Sequence, residues 1–136
     1  MRGAAGSLAP HGAPGVRFVH LPGHTLGHVG LLHEASGALL PSDFADIINC
    51  TQPRGCALPD GRTVAPGLFL MNMCDPPCNP AHAHESICRL AYDPSLEYTR
   101  LYASHDGTKR GLTREQLRPL AEAYSKCGGW MLPRAT

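Results

Sequence analysis

The chain has 136 residues, 43% hydrophobic and 17% charged, a balance that supports one small domain with its own core and argues against a chain disordered throughout. Lys and Arg number 12 against 11 Asp and Glu, a formal net charge of +1. No basic run appears and no apolar stretch exceeds the order of Leu68–Met71, so neither nucleic acid, an anionic membrane surface nor a bilayer span is implied.

The N-terminal stretch MRGAAGSLAP carries one arginine and no apolar h-region, so it does not read as a secretory signal. That sets a cytoplasmic expectation, and with it reduced thiols at Cys50, Cys56, Cys74, Cys78, Cys88 and Cys127. Residues 1–15 are rich in Gly, Ala and Pro without a period and read as a loop or disordered leader. Val16 to Leu21 combines β-branched and aromatic residues and predicts a strand, ended by Pro22 and Gly23. Residues 28–33 and 37–40 predict two further short strands, joined by a turn at Glu34–Gly37. From Asn49 to Asp75 the chain reads as a long irregular loop, because Pro53, Gly55, Pro59, Gly61, Pro66 and Gly67 interrupt every pattern.

Order returns at Asn79, a helix cap followed by Pro80 in the first turn. Ala83, Ile87, Leu90 and Ala91 then fall on one helical face. Tyr98 to Ala103 predicts another strand, running into Ser104–His105–Asp106–Gly107. Thr113 and Gln116 have capping-box spacing for a last helix with Leu117, Leu120, Ala121 and Tyr124 on its apolar stripe. Pro119 is expected to kink or restart that helix, and Gly128 and Gly129 to end it. The elements sum to an α/β (α+β) chain with one domain over residues 16–132.

Three residues at strand ends carry metal-type donors. His24 lies in the loop Pro22–His28, sequence PGHTLGH, where Gly23 and Gly27 permit tight turning. Asp43 directly follows the apolar Leu39–Leu40 run, a place where a carboxylate needs water, hydrogen bonds or a cation. His105 ends the strand in YASHDG. Two imidazoles and a carboxylate suit a zinc-type cation that keeps a further position open for water. Taken singly, each has an ordinary reading as turn chemistry or, for Asp43, as an Asx-turn or helix cap.

In order and wording, PGHTLGHVGLL, LLPSDF and LYASHDG together resemble the later half of the metallo-β-lactamase superfamily, with glyoxalase II-like and lactonase-like motifs. The helix NPAHAHESICRLA resembles the one that precedes the last ligand in such hydrolases, so the likeness spans residues 16–125. It implies an αββα sandwich of which this chain holds mainly the C-terminal half. It also implies a dinuclear zinc centre, with other divalent metals as substitutes. By resemblance His24 is a ligand of the first metal, Asp43 the bridging and catalytic carboxylate, and His105 a ligand of the second metal. His28 and Asp106 are implied as outer residues that support the ligands. The implied activity is hydrolysis of an ester, thioester, lactone or similar bond of a small-molecule substrate by a metal-bound hydroxide.

The superfamily's H-x-H-x-D-H signature is missing ahead of His24, and the nearest string, His82–Ala83–His84–Glu85–Ser86, lies on the predicted helix without an Asp-His pair. Two ligands per ion would remain, too few to hold zinc tightly. The expectation is therefore a fragment or truncated form that needs its N-terminal half or a second copy, with a sheet face left uncovered. The lactonase branch has a tyrosine where this chain has Asp46. Two alternatives stand beside the hydrolase: a degenerate, non-catalytic homologue, and a structural zinc module using Cys74, Cys78, His82 and His84.

Overall fold

In the computed structural model the described residues are 5–72 and 79–128. Ala5–Ser7 (β1) pairs antiparallel with Val16–His20 (β2), which pairs antiparallel with Val29–His33 (β3). β3 pairs antiparallel with Ala38–Leu40 (β4). The next strands are Asp46–Cys50 (β5), Cys56–Ala57 (β6), Thr63–Val64 (β7) and Gly67–Met71 (β8), followed by helix Pro80–Tyr92 (α1). Arg100–Leu101 (β9) then joins β4 in parallel, and helix Arg114–Ser125 (α2) follows. The main sheet thus has the order β1-β2-β3-β4-β9, beside the two-stranded pairs β5-β8 and β6-β7.

Alternation decides which face of the main sheet is buried. Along β3, Gly30 and Leu32 are buried whereas Val29, Leu31 and His33 are exposed. The inward set continues in Val19, Leu21, Leu39 and Leu101, which pack with Ala83, Ile87, Leu90 and Ala91 of α1 and with Leu117 and Ala121 of α2. Each fully buried Val, Leu or Ile side chain among them contributes about 1.5–3 kcal/mol. The outward face carries Val29, Leu31, Leu40 and Tyr102, each between 40% and 46% exposed. It is an uncovered apolar surface, of the kind the sequence led us to expect.

Both helix starts follow the capping chemistry anticipated for them. Asn79 accepts from the His82 amide, and Thr113 and Gln116 form a reciprocal capping box. Pro119 does not divide α2 in two: the helix runs through it. Pro119 and Glu115, whose carbonyl would have been its partner, are both exposed, so water can satisfy the orphaned acceptor. The helix ends at Ser125, before the two glycines, with Lys126 in the left-handed conformation. Gly129 lies outside the described residues.

Three other expectations are corrected. The leader is ordered from Ala5: β1 adds to the sheet edge, because small residues present a pairing backbone as well as large ones do. The irregular stretch after Asn49 contains β6, β7 and β8, and β8 pairs along the whole of β5, from Asp46–Met71 to Cys50–Gly67. Two cysteine pairs are disulfides rather than free thiols, Cys50–Cys56 and Cys88–Cys127. The second bridge ties α1 to Cys127, two residues past the end of α2. Cys74 and Cys78 lie outside the described residues.

Candidate metal centre

Topology alone gathers the three strand-end residues. Two antiparallel steps, β2 to β3 and β3 to β4, restore the original direction, and β9 runs parallel to β4. The C-terminal ends of β2, β4 and β9 therefore open on one edge of the sheet. His24, Asp43 and His105 follow those three ends.

The loop with His24 is seated on α1. Ser86 Oγ donates to the Pro22 carbonyl at 2.8 Å and Arg89 donates to the His20 carbonyl at 3.1 Å. The Asn79 amide donates to the Gly23 carbonyl at 2.9 Å. Gly23 sits at φ 145° with its Cα so near the helix that a Cβ would come within 2.4 Å of the Ala83 Cα. Only glycine fits there. His28 closes the loop, donating from Nε2 to the Pro41 carbonyl at 2.8 Å and meeting the His24 ring edge-on with centroids 5.6 Å apart. Asp43 lies on the single 3-10 turn Ser42–Phe44 that Pro41 introduces.

His105 is placed by β5. The Ile47 amide donates to the His105 carbonyl at 2.9 Å, and the Gly107 amide to the Ile47 carbonyl at 2.7 Å. A Cβ at Gly107 would lie 2.7 Å from the Asn49 nitrogen, so this parallel contact also depends on glycine. As a result His105 Nε2 comes within 3.2 Å of Asp43 Oδ1, with both side chains more than half exposed. An exposed pair of this kind contributes little to stability.

The same contact brings in a residue that sequence reasoning did not single out for the site. Asp46, the first residue of β5, is only 4% exposed. One donor atom from each of Asp43, Asp46 and His105 lies within 4.8 Å of the others. Asp46 Oδ1 is buried and without a hydrogen-bond partner among the described residues. Burial pushes the Asp46 carboxyl above its ordinary value; His105 opposes the shift, Asp43 adds to it, and His24 opposes it. His24 thus acts on Asp46 electrostatically while lying outside the three-donor group. The only hint in the sequence was the position of Asp46, three residues beyond Asp43.

The Asp106 carboxylate accepts from the Thr108 amide and hydroxyl and from the Gly111 amide, and so folds the turn after His105. Burial alone would raise its pKa, but the hydrogen bonds from Thr108, Gly111 and Lys109 outweigh that and hold it below the ordinary carboxylate value. Neither His82 nor His84 belongs to the three-donor group. His84 Nδ1 is 2.9 Å from Ser125 Oγ and its ring stacks on Tyr124, contacts that lock α1 to α2. His82 Nδ1 is buried without a partner among the described residues.

The donors fit a divalent cation. Carboxylate oxygens and imidazole nitrogen are suitable ligands, and an orphaned buried carboxylate oxygen is a group that a cation would satisfy. Ligand atoms on one such ion stand roughly 3–4 Å apart, and the exposed Asp43 and His105 side chains have room for that small closure.

Neither a protein-family profile nor a curated protein matches the chain. Among solved structures it is similar to an archaeal metallo-β-lactamase superfamily protein from Sulfolobus tokodaii, at 16% identity and a TM-score of 0.46, over 89% of this chain and 36% of that one. It is also similar to a metallo-β-lactamase family protein from Thermus thermophilus, at 25% identity and a TM-score of 0.46, over 93% of this chain and 33% of that one. The chain thus spans about a third of the length of both proteins.

Proposed function

We propose that this chain supplies part of the metal centre of a metal-dependent hydrolase, with His24, Asp43 and His105 as ligands of zinc or another divalent cation. The observation that carries the reading is the approach of His105 Nε2 to Asp43 Oδ1 at 3.2 Å, made by segments remote in sequence. A bound cation would supply two things: acidification of a coordinated water and polarisation of the scissile carbonyl or phosphoryl oxygen. The protein's own groups divide the remaining work. Asp43 is exposed enough to meet solvent and can accept a proton at its carboxylate. His28 holds the turn that carries Asp43 against the loop that carries His24.

The substrate is a small molecule with an ester, thioester, lactone or similar bond, and the remaining ligands come from a further segment or a second copy. No helix among the described residues is long and apolar enough to cross a membrane. The disulfides Cys50–Cys56 and Cys88–Cys127 fit an oxidising compartment better than the reducing cytoplasm first expected.

Calorimetric titration of the chain with Zn²⁺ tests the reading. His24→Ala, Asp43→Asn and His105→Ala are each expected to weaken binding about tenfold or more, and the chain alone to turn over thioesters or lactones poorly. Zinc affinity unchanged in all three variants would end the proposal.

A further inference from the structure

We propose that Asp46 is a protein ligand, completing with Asp43 and His105 a three-donor cation site that lies wholly within this chain. The inference deepens the functional reading above and rests on it, because it concerns the same sheet edge. Two independent observations carry it. The first is geometric: one donor atom from each of the three side chains lies within 4.8 Å of the others. The second is the state of Asp46 itself, which is 4% exposed with Oδ1 unpartnered among the described residues.

An isolated carboxylate taken out of water carries a large desolvation penalty, and a second carboxylate beside it adds repulsion. Structures retain such a group when something compensates it. Among the described residues no hydrogen bond to Oδ1 compensates it, and a cation between Asp46, Asp43 and His105 would. Two carboxylates balance the double charge of a divalent cation. Asp46 is also held more firmly than the other two donors. It opens β5, pairs with Met71 of β8, and is followed by Ile47, whose backbone bonds both His105 and Gly107. A ligand on a strand fixed from both sides is set in place before the cation arrives.

The donor set also bears on the metal. Two oxygens to one nitrogen is the mixture that manganese-type ions accept readily, whereas zinc centres commonly lean on more nitrogen or sulfur. Mn²⁺ is thus the appropriate probe, and its hexaaqua EPR signal disappears on binding.

The experiment titrates the 136-residue chain with Mn²⁺ by EPR and follows thermal unfolding by circular dichroism. The wild-type chain is expected to take up one Mn²⁺ and to melt higher in its presence. Asp46→Asn should weaken Mn²⁺ binding about tenfold or more, lose the metal-induced rise in Tm, and melt higher than wild type when metal-free, since it discards a buried unpaired charge. Asp46→Ser, which also lacks the charge, serves if the asparagine variant fails to fold. Binding by Asp46→Asn or Asp46→Ser as tight as wild type overturns the assignment of Asp46. In that case loss of Zn²⁺ binding in His24→Ala and Asp43→Asn would leave the functional reading standing. Absence of Mn²⁺ uptake by wild type also overturns the three-donor site, and absence of Zn²⁺ uptake as well removes both.

Discussion

His28 donates from Nε2 to the carbonyl of Pro41 at 2.8 Å, and through this one bond the loop that carries His24 is tied to the turn that carries Asp43. A carbonyl can only accept, so the bond selects the tautomer with its proton on Nε2. The ring also meets His24 edge-on and tilts against Phe44. His28→Ala is expected to lower stability by about 1 kcal/mol for the lost bond and to loosen the relative placement of His24 and Asp43. Zn²⁺ affinity should fall several-fold with it. His28→Gln keeps a donor and should recover part of both losses. Chemical denaturation beside calorimetry checks this, and an alanine variant indistinguishable from wild type would remove His28 from its supporting role.

Gly23 makes a sharper demand. Any Cβ there would stand 2.4 Å from the Cα and 2.6 Å from the nitrogen of Ala83, in addition to the φ of 145°. Gly23→Ala must therefore push the loop off α1, at an expected loss of about 3 kcal/mol. Because the obstruction is backbone, the double variant Gly23→Ala/Ala83→Gly should not recover the loss. Urea denaturation of the two variants decides it: restoration by the second substitution would mean that side-chain crowding alone was responsible.

What was legible in the sequence follows a physical divide between local and remote determinants. Alternation in Val29–His33 and the apolar run at Leu39–Leu40 are visible in single strands, and so are the caps Asn79 and Thr113. The strand ends at His24, Asp43 and His105 were legible for the same reason. Asp46 was not, because its weight comes from the parallel contact between Ile47 and the His105–Gly107 segment, which nothing near Asp46 encodes. The pairing of β5 with β8 was obscured by the prolines and glycines between them, which read as loop while serving as the turns of a small sheet. Cysteine pairing is similarly invisible until α1 and α2 are seen to pack together.

That packing leads to the Cys88–Cys127 bridge, which closes a sequence separation of 39 residues, against 6 for Cys50–Cys56. Loop-closure entropy assigns the longer bridge about 4 kcal/mol and the shorter about 2 kcal/mol. Cys88→Ala/Cys127→Ala should therefore lower stability more than Cys50→Ala/Cys56→Ala, and reduction of the wild-type chain should lower Tm. Mass analysis after alkylation without reductant checks the bridges directly. Full alkylation of Cys88 and Cys127 in native chain would show them to be thiols and cancel the ranking.

Acid stability should turn on Asp93, at the C-terminal end of α1. Burial by itself would raise its pKa, but the Ser95 amide and hydroxyl and the Arg89 guanidinium all donate to the carboxylate, and together they hold it below the ordinary value of 3.8. The folded chain therefore binds this proton less readily than the unfolded chain does. Its contribution is complete above about 3.8, the unfolded value, and is lost as pH falls through the lower folded value. Asp93→Asn keeps the shape but not the charge. It should be less stable than wild type at neutral pH, with the difference shrinking as the medium is acidified into that window. Urea denaturation at stepped pH measures it, and a stability gap that stayed constant down to the lowest pH would show that Asp93 acts through its shape alone.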